Sequence, residues 1–289
     1  MRRPLVGLVL VSMVLVWGTS AFSEILRGYG PASPTELFRQ LAGVTLGDWP
    51  TRGREFIQLV PSFKRYFLAV ILGVSGLFLL HFLIFGPKRF SRGEQLVPYY
   101  GAVTRLFHWI AALCFTCLFL SGLAVLFAKS LGAGSFVRTL RVLHLVAGFG
   151  FFGAIIPLFL IWWRDMLPAS YDLSWFLSLG GYLSRKKEPV PAGKFNAGQK
   201  LWFWLATVGG VVMFYTGFYL YRFEAPVATL RTYLIIHNVL ALILTAFFIT
   251  HLYMTLFAVK GALKSMITGR KGLEEIKYLH PKFLEEVGP

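Results

Sequence analysis

The sequence predicts an all-α membrane protein, a polytopic helical bundle with four core transmembrane helices and one extra span near the N-terminus. Of its 289 residues, 56% are hydrophobic and only 15% are charged, and the mean hydropathy is +0.64. Such a composition is typical of membrane proteins rather than of soluble domains. Several apolar runs are about 20 residues or longer, the length that a helix needs to cross a bilayer.

The N-terminal region has the features of an export signal. Residues 1–23 begin with Arg2 and Arg3, continue as an apolar stretch, and end in small residues, as a cleavable signal peptide does. An uncleaved anchor helix is the alternative, and we favour cleavage. Residues 24–65 contain Pro, Gly and charged residues without a clear period, and we predict a mostly irregular exported segment there. The extra transmembrane helix is expected at 66–86.

Four further apolar runs form the predicted core domain, residues 99–259. They are predicted at Val103–Phe127, Phe136–Trp163, with a kink at Pro157, Leu201–Tyr221 and Thr232–Leu256. A polar stretch, residues 164–200, connects the second and third of these runs. Residues 260–289 form a basic, partly helical tail, whose His280 is expected at the surface.

The net charge of +16 is concentrated in some of the loops. In a soluble protein it would suggest nucleic acid, but here no nucleic-acid partner is expected, because basic loops mark the cytoplasmic side of a membrane protein. These loops include Lys88, Arg89 and Arg92, then Arg185, Lys186 and Lys187, and finally Lys260, Lys264, Arg270 and Lys271. The chain is therefore predicted to cross the lipid of the bacterial inner membrane several times, with a cytoplasmic C-terminus.

The last apolar run carries two histidines, His237 and His251, fourteen residues apart. On a helix this spacing corresponds to roughly 21 Å along the axis, with the two side chains within about 40° of one direction. Ionisable residues within a membrane helix are costly and are functional by default. Two on one face at opposite depths therefore predict two stacked sites.

Two more histidines complete the pattern. Because the spans alternate in direction, His108 and His251 are expected toward the cytoplasm, and His144 and His237 toward the exported side. Two imidazoles that face each other inside a bundle can be the axial ligands of a low-spin haem. The sequence therefore predicts two haems b, one between His144 and His237 and one between His108 and His251.

Neighbouring residues fit this hypothesis. Arg105 and Arg141 each precede a histidine by three residues, so each shares its helix face and could meet a haem propionate. Gly122 lies fourteen residues after His108, and Gly148 lies four after His144. A missing side chain there would let a porphyrin approach.

Alternatives to the haem hypothesis are four unrelated buried histidines, a haem-free membrane anchor, or a histidine-based proton transporter. A proton path would be expected to use carboxylates, and the predicted spans contain none. His81 is interpreted as a packed or interfacial residue. Cys114 and Cys117 lack the following histidine of a covalent haem site and are interpreted as packing residues.

Four sequence features together resemble a known family. They are RLFHW at Arg105–Trp109, RVLH at Arg141–His144, KFNAGQK at Lys194–Lys200, and the His237/His251 spacing. In these the chain resembles the gamma subunit of respiratory formate dehydrogenase, a membrane dihaem cytochrome b, over about residues 99–287. The histidine spacing is shared with cytochrome b subunits of nickel–iron hydrogenases, which remain an alternative.

The resemblance implies a function and partners. Electrons would pass from an exported iron–sulfur beta subunit through two haems to a quinone, menaquinone or ubiquinone, at the cytoplasmic face. Formate oxidation would occur on the catalytic alpha subunit, and no residue of this chain is predicted to be catalytic for it. In that family the residues matching Asn196, Gly198 and His251 line the quinone site. An amide at residue 196 and a backbone N–H near residue 198 could donate hydrogen bonds to a quinone carbonyl. The alternative for this loop is a turn that only caps the following helix.

Overall fold

The computed structural model describes residues 52–90, 95–186 and 188–287. The predicted signal segment and most of the predicted exported segment lie outside these residues. Five helical stretches are long and apolar enough to cross a membrane, Arg54–Phe85, Ala102–Leu126, Ser135–Trp162, Ala197–Arg222 and Val227–Ala258. The predicted fold class, an all-α polytopic membrane bundle, is confirmed.

The described residues form eleven α-helices and one small β-ribbon. In chain order they are α1 (Arg54–Leu59), α2 (Ser62–Phe85), β1 (Leu96–Pro98), α3 (Ala102–Leu126), α4 (Ser135–Trp162), α5 (Asp172–Leu177), α6 (Ala197–Trp204), α7 (Gly210–Arg222), α8 (Val227–Tyr253), α9 (Ala262–Thr268), β2 (Arg270–Gly272), α10 (Leu273–Leu279) and α11 (Pro281–Val287). Short 3-10 helices lie at Ala128–Leu131 and Leu179–Gly181, and π-helical turns lie at Leu205–Gly209 and Met254–Ala258. Helix α4 continues through Pro157 for five more residues.

The long helices leave large apolar side chains uncovered. On α2, Leu72 and Leu83 are 69% and 70% exposed. In water so much apolar surface would be unfavourable, but in a bilayer it faces lipid tails, while the helix satisfies its own backbone hydrogen bonds. The exposed leucines therefore agree with a membrane location.

The described residues divide into two compact units, of which the first comprises residues 52–68, Ile110–Pro157 and Gly210–Leu242. Aromatic rings pack between α4 and α7 there: the Phe152 ring stacks on Phe214 at 4.5 Å, and the Phe149 ring meets it edge-on at 4.9 Å. Gly210 lies so close to Phe151 that a Cβ would stand 2.9 Å from its Cε1. These contacts bring α7 against α4.

The second unit comprises Ala69–Trp109, Leu158–Gly209 and Ile243–Pro289. Within it, strand β1 pairs with β2 in antiparallel register, with Val97 opposite Lys271. Helix α2 is joined to α8 through one histidine: Tyr253 donates a 2.6 Å hydrogen bond to His81 Nδ1, and His81 Nε2 donates to the Tyr182 carbonyl at 3.0 Å. Phe78 also stacks on Tyr253. His81 is thus a packing residue, as predicted.

The C-terminal tail is folded, and a few of its residues are buried, His280 among them. His280 is 1% exposed, so the prediction of a surface histidine is wrong. Its Nδ1–H donates to the Gly193 carbonyl at 2.9 Å, and its Nε2 accepts from Lys271 at 3.1 Å. Lys271 in turn pairs with Glu275 at 3.0 Å. The tertiary contacts of α10 and α11, which a single sequence does not reveal, account for this burial.

Candidate functional site

The first unit brings together two of the predicted histidines. His144 on α4 and His237 on α8 have ring centroids 6.4 Å apart, with their planes inclined at 59°. They are termed the 144/237 pair below. Both rings lie within apolar helices, and their opposition agrees with the pairing predicted from helix direction.

The second unit brings together the other two. His108 on α3 and His251 on α8 have ring centroids 6.3 Å apart, inclined at 55°. This is the 108/251 pair. Trp202 stacks on the imidazole of His251 at 5.7 Å and 22°. The Nδ1 of His108 is buried and has no hydrogen-bond partner among the described residues, which is uncommon for a buried ring nitrogen.

The spacing within each pair fits two axial ligands of one iron. A metal–imidazole bond is about 2 Å long and the ligating nitrogen lies about 1 Å from its ring centroid, so two axial imidazoles have centroids about 6 Å apart. The observed 6.3 Å and 6.4 Å match this value. Two imidazoles stacked in direct contact would have a shorter centroid distance. The described residues show no hydrogen bond between the two rings of either pair. The residues present therefore fit a haem at each pair.

Two hydroxyl groups, which the sequence analysis did not select, contact the 144/237 pair. Ser121 Oγ lies 2.9 Å from His144 Nδ1, and Thr216 Oγ1 lies 3.0 Å from His237 Nδ1. Both residues are 2% exposed. In each case the hydroxyl residue is followed by glycine, in Ser121-Gly122 and Thr216-Gly217, but the same dipeptide also occurs at Ser75-Gly76 and Thr268-Gly269, so the sequence alone does not single out these two.

The glycines of these dipeptides lie against the same rings. A Cβ on Gly122 would stand 3.3 Å from His144 Cε1, and one on Gly217 would stand 3.1 Å from His237 Cε1. Gly122 therefore makes room for an imidazole in this structure. Gly148 was predicted to make room for a porphyrin, and a Cβ added there would meet no atom of the described residues within 4 Å.

The two predicted arginines have different surroundings. Arg141 lies over the rings of Tyr221 and Phe223, at 5.4 Å and 5.9 Å from their centroids. Arg105 donates from a terminal nitrogen to the Ile267 carbonyl, while its Nε is buried and unpaired among the described residues. That orphaned donor is available to an anionic group such as a propionate.

Asn196 caps helix α6. Its Oδ1 accepts from the Gln199 backbone N–H at 2.9 Å, and the Gln199 side chain accepts from the Asn196 N–H at 3.0 Å, which is a capping box. The helix consequently begins at Ala197, four residues before the predicted span. The side-chain amide NH₂ of Asn196 is not used by the cap.

Gly198 is constrained by an aromatic neighbour. A Cβ there would stand 2.8 Å from Cη2 of Trp175, so the indole occupies the space beside the Gly198 Cα. On the next turn Lys200, 6% exposed, pairs with Asp172 at 2.8 Å. The loop before α6 is thus held by a cap, an indole and a buried ion pair.

The segment that leads into this loop is held by the tail. The carbonyls of Gly193 and Lys194 accept hydrogen bonds from His280 and Tyr99, respectively. Burial, with the positive charge of Lys271 adding to it, lowers the pKa of His280 well below its usual value, although the bond to Gly193 opposes this shift. His280 is therefore a neutral structural residue at pH 7.

The cysteines are free in this structure. Cys114 packs against α4, where a Cβ on Gly150 would stand 2.7 Å from its Sγ. This contact agrees with the interpretation of Cys114 as a packing residue.

A multi-pass helical bundle with opposed, partly buried histidines defines a class of protein, the membrane cytochromes b. The sequence profile of the prokaryotic cytochrome b561 family matches residues 99–269. The chain belongs to this family, as a cytochrome b subunit of the formate dehydrogenase type. The predicted resemblance to the gamma subunit is confirmed.

Three relatives illustrate the similarity. The cytochrome b556(Fdn) subunit of the nitrate-inducible formate dehydrogenase of Escherichia coli K12 is 30% identical over 196 residues, 64% of this chain and 88% of the relative. The cytochrome b556(fdo) subunit from the same organism is 30% identical over 204 residues, 68% and 95%. The formate dehydrogenase cytochrome b556 subunit of Haemophilus influenzae is 29% identical over 192 residues, 63% and 79%. The family implies haem b, and the relatives imply further subunits.

Proposed function

We propose that this chain conducts electrons from an exported iron–sulfur beta subunit to a quinone at the cytoplasmic face, with a haem b at each histidine pair supplying the one-electron chemistry. Formate would be oxidised on the catalytic alpha subunit. The observation that carries the proposal is the pair of matched centroid distances, 6.4 Å and 6.3 Å. Both pairs lie on membrane helices of a cytochrome b family member.

The chain's own residues would hold these groups. His144 and His237 would hold one haem, and His108 and His251 would hold the other. Arg105 and Arg141 supply positive charge for propionates, and Gly122 and Gly148 leave room beside the 144/237 pair.

The proposed quinone site lies at the loop before α6. Two hydrogen-bond donors are available there for a quinone carbonyl: the Asn196 amide NH₂ and the backbone N–H of Gly198. The Gly198 N–H lies in the first helical turn and therefore has no partner within the helix. The capping box supports the site by fixing the direction of the amide. His251 belongs to the same unit.

The proposed orientation has the basic loops and the C-terminus in the cytoplasm of a bacterium. Quinone reduction consumes two protons, which we expect to come from cytoplasmic water. Electrons that move inward while protons are taken up inside would charge the membrane, and each charge is worth about 2.3 kcal/mol per 100 mV.

The quinone site can be tested apart from the helix cap. Asn196→Asp and Asn196→Ser keep a capping oxygen but remove the amide donor, whereas Asn196→Ala removes both. All three should keep the full haem spectrum, because Asn196 is no iron ligand. We expect each to slow steady-state reduction of a quinone analogue by up to roughly tenfold, the equivalent of one hydrogen bond of 0.5–1.5 kcal/mol.

The contrary result is equally clear. If the Asp and Ser variants reduce quinone at the wild-type rate and only the Ala variant is slow, Asn196 serves as a helix cap alone. A Gln199→Ala variant removes the reciprocal bond of the capping box from the Asn196 N–H but keeps the Asn196 amide. It is the matched control and should retain quinone turnover better than Asn196→Asp.

A further inference from the structure

The two imidazoles of the 144/237 pair are held in the same way by two different helices. Ser121-Gly122 on α3 lies against His144, and Thr216-Gly217 on α7 lies against His237. In each case the hydroxyl contacts Nδ1 and the glycine faces Cε1. One edge of each ring is thus covered by a dipeptide of a hydroxyl residue and a glycine.

The direction of the hydrogen bonds follows from where each hydroxyl proton goes. Ser121 Oγ donates to the Cys117 carbonyl at 2.5 Å, and Thr216 Oγ1 donates to the Val212 carbonyl at 2.8 Å. A carbonyl can only accept, so each hydroxyl has spent its single proton. Toward the imidazole it can only accept a hydrogen bond, and Nδ1 of each ring must therefore carry the hydrogen.

A fixed tautomer has a chemical consequence. With hydrogen on Nδ1, the lone pair of Nε2 is free to bind a metal. A hydrogen bond from the opposite nitrogen also makes the imidazole a stronger electron donor. A stronger donor favours the oxidised form of a bound iron, so such hydrogen bonds lower its reduction potential.

The 108/251 pair differs at one ligand. His108 Nδ1 is buried and has no hydrogen-bond partner among the described residues. The His108 imidazole therefore lacks the Nδ1–H hydrogen bond that makes His144 and His237 stronger electron donors. The two pairs therefore differ in the hydrogen bonding of their imidazoles, which is one of the features that tune a haem potential.

We propose that Ser121 and Thr216 are positioning residues that fix the Nδ1–H tautomer of His144 and His237 and hold the haem at this pair at a lower potential than the haem at the 108/251 pair. The inference rests on the proposed function. It makes electron transfer from the exported donor toward the quinone energetically downhill between the two haems.

The test is a spectroelectrochemical redox titration of the full chain in its complex. Thr216→Val removes the hydroxyl at nearly constant volume, and Thr216→Ser restores it. We expect Thr216→Val to raise the reduced-to-oxidised ratio of one haem three- to tenfold at fixed ambient potential, about 28 to 59 mV at 59 mV per tenfold. Thr216→Ser should return the potential to the wild-type value, and the second haem should not change.

A neighbouring threonine provides the control. Thr116 on α3 makes the same kind of bond, to the Ala112 carbonyl at 2.8 Å, but is exposed. Thr116→Val should leave both potentials unaltered. Ser121→Ala removes the hydroxyl at His144, the other ligand of the pair, and should shift the same potential in the same direction. If Thr216→Val does not retain haem, Ser121→Ala serves as the test variant.

Several results would overturn the inference. The first is an unchanged reduction potential in Thr216→Val or Ser121→Ala protein that retains both haems. The second is an equal shift of the potential in Thr216→Val and Thr216→Ser. The third is a wild-type protein in which the haem at the 144/237 pair has the higher potential. Failure of the proposed function is a distinct outcome, because the wild-type titration would then lack two haem transitions.

Discussion

Single atoms decide whether an imidazole can keep its position in this protein. A Cβ added to Gly217 would stand 3.1 Å from Cε1 of His237, which is tighter than about nine in ten Cβ contacts in proteins. The sequence pattern identified the four histidines from depth and helix face. It did not identify Ser121, Thr216 or Gly217, because a contact between helices leaves no period within either helix.

Gly217→Ala is expected to displace His237. The added methyl group must push the imidazole by a few tenths of an ångström, and ligand geometry is sensitive to such shifts. We expect loss of about one haem per chain, with the other retained. The measurement is haem content per purified chain, with Gly73→Ala, whose added Cβ meets nothing within 4 Å, as the control. Full haem content in Gly217→Ala would contradict the close contact.

His280 links stability to pH. Because burial holds it neutral in the folded protein, the unfolded chain takes up a proton below about pH 6.5 while the folded chain does not. The folded state therefore loses stability as the pH falls from 6.5, by up to about 1.4 kcal/mol per pH unit.

His280→Gln removes this titration while leaving a polar side chain of similar size. The drop in thermal unfolding temperature between pH 7.5 and pH 5.5 should be smaller in this variant than in the wild-type protein. Identical pH profiles for the two proteins would show that His280 does not titrate differently on folding.

At the scale of elements, apolar runs predicted all five membrane helices, and the physical reason is that a bilayer demands both length and hydropathy. Boundaries were less predictable. Helix α6 begins at Ala197 because the Asn196–Gln199 capping box stabilises an early start, and α2 begins at Ser62 rather than Tyr66. The burial of His280, which follows α10, depends on partners distant in sequence, such as Gly193.

The attachment of α2 to α8 can be tested by Tyr253→Phe. This change removes the hydrogen bond to His81 Nδ1 and should lower stability by about 0.5–1.5 kcal/mol. The matched control is Tyr66→Phe, which changes a 47% exposed tyrosine on α2 that does not contact His81. Thermal unfolding in one detergent compares them, and equal midpoints for the two variants would argue against the His81 contact.

For the whole molecule, the fourteen-residue spacing of His237 and His251 is the feature from which most of the architecture could be inferred. Helix α8 is continuous from Val227 to Tyr253 and contributes one imidazole to each compact unit. The predicted cleavage of residues 1–23 concerns a part of the chain outside the described residues and stays a prediction. The family profile covers residues 99–269, so α1 and α2 before it, and α10 and α11 after it, lie outside the matched part.

The measurement that most directly tests two bis-histidine haem sites is the haem stoichiometry and reduced spectrum of the purified full chain and its histidine variants. The wild-type protein should hold two low-spin haems b. His237→Ala and His108→Ala should each lose the low-spin absorbance of one haem, and of a different one in each case. His81→Ala, a histidine outside both pairs, should keep two. A wild-type protein with one haem or none, or pair variants that retain both low-spin haems, would contradict the account.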